Sequence, residues 1–165
     1  MPYNDGEEFS EEVVRLDSFM KRALELAVEN VQSGGQPFGA VLVKDGNIIS
    51  EGVNELHKKY DVSGHAEMLA IRRAQEQLQT NDLSGYTIYA SGEPCPMCFA
   101  AMYFAGIKEV FYCAAVEEAA AVGLTTSGKI YDDLKKSREE RTLSMVHMPL
   151  NEGQANPMEL WGKRS

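Results

Sequence analysis

The chain has 165 residues, 44% hydrophobic and 25% charged, the balance of a folded domain and not of a disordered segment. Its net charge is −9, from 16 basic and 25 acidic residues, which weighs against DNA or RNA as a partner. No apolar run approaches the roughly 18 residues that a membrane span needs. The acidic start MPYNDGEEFSEE does not read as a signal peptide, and an odd cysteine count of 3 points to a reducing cytoplasm.

No repeat or linker divides the sequence, so a single domain over 1–165 is expected, with 1–10 as a flexible tail. From Glu12 to Gln32, Leu16, Met20, Ala23, Leu24, Ala27, Val28 and Val31 recur at helical spacing. Ser10 is placed to start this helix, and Gly34 and Gly35 to end it. FGAVLVKDGNIISEGVN reads as two strands turning at Asp45-Gly46. After an irregular stretch at 54–64, HAEMLAIRRAQEQL (65–78) is a second amphipathic helix.

YTIYAS (86–91) is a strand. CPMCFAAMYFA (95–105) is a helix with Pro96 in its first turn. EVFYCAAV (109–116) is a nearly all-apolar strand, expected to be buried on both faces. An Ala-rich piece (117–122) and a Gly/Thr/Ser loop (123–128) precede a helix over IYDDLKKSREE, whose basic residues read as a solvated face. TLSMVHMPL (142–150) is expected as a fifth strand, and NPMELWGK as a short final helix begun by Asn156. This order predicts an α/β fold, a three-layer α/β/α arrangement around a five-stranded mixed sheet. Its hairpin is antiparallel, and the strands flanking the 95–105 helix are parallel.

His65, Glu67, Cys95 and Cys98 form the group that carries chemistry. Two cysteines at C-x-x-C spacing and one histidine, each opening a helix, can hold one Zn2+ and leave a fourth position for water. Helix N-termini favour thiolate over thiol. Glu67 lies two residues beyond His65, close enough to move a proton without binding metal. Other readings stay open on spacing alone: C-P-M-C as a redox pair, or Cys113 closing a structural Cys3His site, although a cysteine in an apolar strand is more often simply buried.

The pair H-A-E and P-C-P-M-C resembles the signature of the zinc-dependent nucleobase deaminases. Elements over 12–147 follow the order of the cytidine-deaminase-like fold. PFGAVLVKDG, GHAEMLAIRRA, EPCPMC and FYCAAVEEAAAVG are most similar to the bacterial guanine deaminases. The resemblance implies one Zn2+ per chain on His65, Cys95 and Cys98, an activated water, and Glu67 as general acid/base. It implies substrate contacts from Asn54, Phe38, Ala66, Glu118 and Phe104. It also implies a homodimer acting on a small nucleobase.

The sequence departs from that pattern where Phe104 replaces a frequent Trp and SGEPC a more usual S-C-E-P-C. Trp161 stands near the place of a C-terminal aromatic that some relatives borrow from a neighbouring subunit. The expected reaction is hydrolytic deamination of guanine to xanthine and ammonia. A guanine nucleoside, cytosine, another amino-heterocycle or a tRNA adenosine are the alternatives, and a zinc-stabilised binding module is the non-enzymatic one.

Overall fold

In a computed structural model, residues 11–164 are described, with side chains from Ser18 onward. The expected N-terminal tail and Ser10 cap lie outside the described residues. The chain divides into two compact units, one ending at Tyr131 and the other running from Asp132.

The first unit opens with α1 (Glu11–Gln32), whose apolar stripe places Ala23 and Leu26 against one face of a sheet. Strands β1 (Gly39–Lys44) and β2 (Asn47–Val53) form the expected hairpin. Asp45 and Gly46 take φ of 51° and 76°, the left-handed pair that a two-residue turn requires. Helix α2 (Ala66–Leu78), strand β3 (Thr87–Gly92), helix α3 (Pro96–Ala105) and strand β4 (Glu109–Ala114) complete the sheet, in the order β2-β1-β3-β4. β3 is antiparallel to β1 and parallel to β4, as a helical crossover dictates.

Alternation along the strands sorts the core into two layers. Val41, Val43, Tyr89 and Phe111 meet α1. Leu42, Ile88 and Ala90 meet Ile71 and Ala74 of α2 and Met102 and Ala105 of α3. Helices therefore cover both faces, and α2 and α3 share one of them. Gly52 is what lets α2 sit close. A Cβ there would collide with the Ala66 carbonyl oxygen and stand 2.9 Å from the Ala70 nitrogen. Gly39 does the same for α1, since a Cβ there would lie 2.8 Å from the Ala27 nitrogen.

Two expectations about the sheet are corrected. It has four strands among the described residues, not five: residues 142–150 form no strand. Leu143, Met145, Val146 and Met148 are exposed there, and β-propensity is expressed only where a neighbour supplies a ladder. Strand β4 is not buried on both faces. It is an edge strand, and its Tyr112 and Cys113 are exposed.

Downstream, Val116–Ala121 forms α4, and α5 runs Thr126–Leu134, beginning and ending earlier than its apolar pattern suggested. Thr and Ser disfavour a helix interior but suit its start, so TTSG reads equally as loop or as a first turn. In the second unit, Arg138–Glu140 makes one 3-10 turn and α6 spans Pro157–Gly162. Asn156 caps α6 as expected, its Oδ1 accepting from the Met158 N–H at 3.0 Å. Among the described residues, no helix is long and apolar enough to cross a membrane.

Candidate active site

The site is built where two helices begin. His65 is the N-cap of α2, in extended conformation, and Cys95 is the N-cap of α3. The Cys95 sulfur accepts from the Cys98 backbone N–H at 3.5 Å, the role that a serine or aspartate oxygen usually fills at a cap. Pro96 supplies a first-turn residue that has no N–H to satisfy. Since α2 and α3 pack on one sheet face, their N-termini bring together side chains thirty positions apart.

The three donor atoms form a tight triangle. His65 Nδ1 lies 3.4 Å from Cys95 Sγ and 3.6 Å from Cys98 Sγ, and the sulfurs are 3.5 Å apart. Tetrahedral zinc, with Zn–S near 2.3 Å and Zn–N near 2.0 Å, needs separations of about 3.8 Å between sulfurs and about 3.6 Å from sulfur to nitrogen. The donor set fits Zn2+ in both chemistry and spacing. Among the described residues, it is the group of His, Cys, Asp or Glu side chains that converges so. Cys113, exposed on β4, is not part of it, which removes the closed Cys3His reading.

Electrostatics follow from this crowding. The Cys98 thiol hydrogen-bonds to Cys95 and, with His65 and the Cys98 backbone N–H, holds the Cys95 thiol far below its ordinary range. Cys98, donating to Cys95 and buried, is pushed up. The hydrogen bond to Cys95 raises His65. Glu67 is 6% exposed. Burial first, and then the Cys95 charge, push its carboxyl up to about 7, against the lowering influence of its own backbone N–H and of Cys98 and His65.

A cavity of about 400 Å³ opens onto these groups, within the range of small-molecule sites. His65, Glu67 and Cys95 line it, and so do Phe38 and Asn54. Phe38 rests on Gly92, where a Cβ would come within 2.8 Å of its ring. The Phe38 segment is tied to β3 by Ser91, whose Oγ accepts from Gly39 N–H at 3.0 Å and donates to the Pro37 carbonyl at 3.3 Å.

The remaining expected contacts do not reach the cavity. Ala66 packs with Ala40 and Ala70 under the start of α2. Phe104 is 91% exposed on α3, because Cys98, Met102 and Ala105 occupy the face of α3 that meets the core. The Glu118 carboxylate turns back to accept from the Ala115 N–H at 3.0 Å, holding the first turn of α4.

Sequence reading missed the far wall, made by Val116 and Ala119 of α4, Ser127 and Ile130 of α5, and Leu124 of the loop between them. Tyr131 pins this wall to the cysteine loop, donating to the Pro94 carbonyl at 2.6 Å. Burial and the nearby Glu93 raise its phenol to about 12, so it remains a donor. Gln36 and Glu93 also line the cavity and carry no periodic signal that would single them out.

Residues 14–114 match the cytidine and deoxycytidylate deaminase zinc-binding region, and the chain belongs to this family. Within it, the chain is 44% identical over 146 residues to a guanine deaminase of Bacillus subtilis, an alignment covering 88% of this chain and 92% of that protein. The solved structure of the Bacillus subtilis guanine deaminase superposes with a TM-score of 0.83 at 43% identity, over 90% of this chain and 94% of the other. A tRNA-specific adenosine deaminase of Aquifex aeolicus is 41% identical over 96 residues, 58% of this chain and 64% of that protein.

Proposed function

We propose that the chain is a zinc-dependent aminohydrolase that converts a free purine base, guanine, and water into xanthine and ammonia. The observation that carries this reading is the buried Glu67 beside a Cys2His donor set in a cavity sized for one small molecule. The extended likeness to a bacterial guanine deaminase supports the choice of base.

His65, Cys95 and Cys98 would hold the ion, which supplies a water activated for attack at neutral pH. Glu67 takes one proton from that water and delivers it to ring nitrogen N3 while the water oxygen bonds to C2. It then passes the second proton to the 2-amino group, the C2–N bond breaks, and ammonia leaves. Burial raises the Glu67 carboxyl above its ordinary value and so makes it a better proton acceptor than an ordinary surface glutamate. Asn54 and Phe38 hold the ring, one by hydrogen bonding and the other by packing.

The net charge of −9 weighs against a tRNA substrate. A single deaminase domain, a homodimer and a cytoplasmic location belong to the same proposal. The unpaired Cys95, Cys98 and Cys113 support a reducing compartment, and the exposed Phe99, Tyr103 and Phe104 of α3 support a covering subunit. Ammonia release across guanine, guanosine, adenine, adenosine and cytosine tests the reading. Turnover of guanine above all others is expected, and its absence with zinc bound would sink the assignment.

A further inference from the structure

One wall of the cavity is a chain of amides whose orientation is fixed from one end. The Leu56 backbone N–H can only donate, and it reaches Asn54 Oδ1 at 3.1 Å. The other branch of that amide is therefore Nδ2, which donates to Gln36 Oε1 at 3.3 Å. Gln36 Nε2 is left as the outer end of its side chain, and no acceptor meets it among the described residues. Gln36 and Asn54 both line the cavity. Behind them, Asn30, 4% exposed, donates to the backbone carbonyls of Gln36 at 2.7 Å and Asn54 at 2.9 Å. Two cavity-facing residues from separate loops are thus held to one buried side chain.

We propose that Gln36 is a substrate-binding, specificity-determining residue: its Nε2 donates to an acceptor on the purine, either the oxygen on C6 or N7. This deepens the function proposed above and rests on it. Attack at C2 directs the 2-amino side of guanine toward Glu67 and the donor set. The far edge of the ring then presents the C6 oxygen and, in the 9H tautomer, N7 as neighbouring acceptors, with the N9–H beyond them, and an N–H group held in place is the complement of those two acceptors. A neutral amide suits a neutral base, which offers no charge to offset the burial of a cation. The same amide fixes Asn54, so one side chain sets two contacts.

Gln36→Met and Gln36→Glu are assayed for ammonia release from guanine, 7-deazaguanine and 2-aminopurine, with zinc content and melting temperature measured alongside. The two analogues lack N7 and the C6 oxygen respectively. For guanine, Gln36→Met is expected to raise KM by about tenfold, and Gln36→Glu by more, with kcat within about twofold of the starting protein. For Gln36→Glu, which keeps the bond from Asn54, the penalty disappears for the one analogue that lacks the acceptor Gln36 meets; for Gln36→Met it shrinks there to the part that acts through Asn54. Equal penalties on all three substrates, or an unchanged guanine KM in both variants, overturn the inference. Should Gln36→Met not fold, Gln36→Glu carries the test, because its carboxylate still accepts from Asn54. A starting protein inert toward guanine removes the proposed function and this inference together. An active one matched by both variants removes this inference alone.

Discussion

Gly52→Ala changes one hydrogen for a methyl group on a residue that does not line the cavity, yet it should damage the site. The added Cβ would overlap the Ala66 carbonyl oxygen and lie 2.9 Å from the Ala70 nitrogen and 3.1 Å from the Ala66 carbonyl carbon. All three are backbone atoms in the first turns of α2, so no side-chain rotation relieves them. Restoring an ordinary contact to Ala70 alone requires α2 to retreat by about 0.5 Å, and the Ala66 oxygen demands more. Overpacking of this kind costs about 1–3 kcal/mol. His65 and Glu67 flank Ala66 and move with it, so the donor triangle loosens and the proposed proton carrier shifts. A displacement near 1 Å at reacting groups costs about 10²-fold in rate. The expected outcome is a lowered melting temperature, weaker zinc retention on dialysis, and kcat/KM down by about 10²-fold. Gly52→Ala with the zinc content, stability and turnover of the starting protein would refute the claim that this close approach positions the site.

Glu67→Gln keeps the shape of the side chain and removes its ability to carry protons. Zinc content should stay near one ion per chain while kcat falls by about 10²–10⁴-fold, and retained turnover would remove Glu67 from its proposed role. Stripping the ion with a chelator should abolish ammonia release and lower the melting temperature, because Cys95, Cys98 and His65 are left crowded together. Readdition of Zn2+ should restore both, and full activity in metal-free protein would contradict the site. In the second unit, Asp133 accepts from the Thr142 N–H at 3.1 Å and from its hydroxyl at 3.0 Å, and these bonds hold its carboxyl below the ordinary value of 3.8. A lowered folded value means that the stabilisation is whole above 3.8 and is lost as pH falls through the folded value. Hydrogen exchange at Thr142 should therefore accelerate in that acid window once corrected for intrinsic rates, and Asp133→Asn should lose the pH dependence.

The core of the fold could be read along the chain because its signals are local. Asp45-Gly46 must turn, since both residues take left-handed φ there. The apolar spacing in 12–32 and 65–78 can only serve a helix with one buried side. Pro96 and Cys95 mark a helix start by what a first turn tolerates. The metal donors were equally legible, because a Cys2His set on two helix starts has few other physical uses.

What the sequence left open depended on neighbours. Residues 142–150 have the composition of a strand but no ladder, and β4, apolar after Glu109, lies at an edge. Pattern alone cannot report whether a partner strand is present. Phe104 and Glu118 were placed in the site by resemblance, while the structure turns one outward from α3 and folds the other back onto α4.

The sequence by itself determined the chemistry: a histidine, two cysteines and a glutamate at spacings that suit a zinc-assisted proton transfer. Tertiary structure alone decided what surrounds that chemistry. The α4–α5 wall, the seat of Phe38 on Gly92 and the Asn30–Gln36–Asn54 amide chain join residues from different elements. A reactive centre is a matter of residue type and local spacing, which a linear chain displays. A pocket is a matter of which distant segments the sheet brings face to face, and that appears only when the helices pack on it.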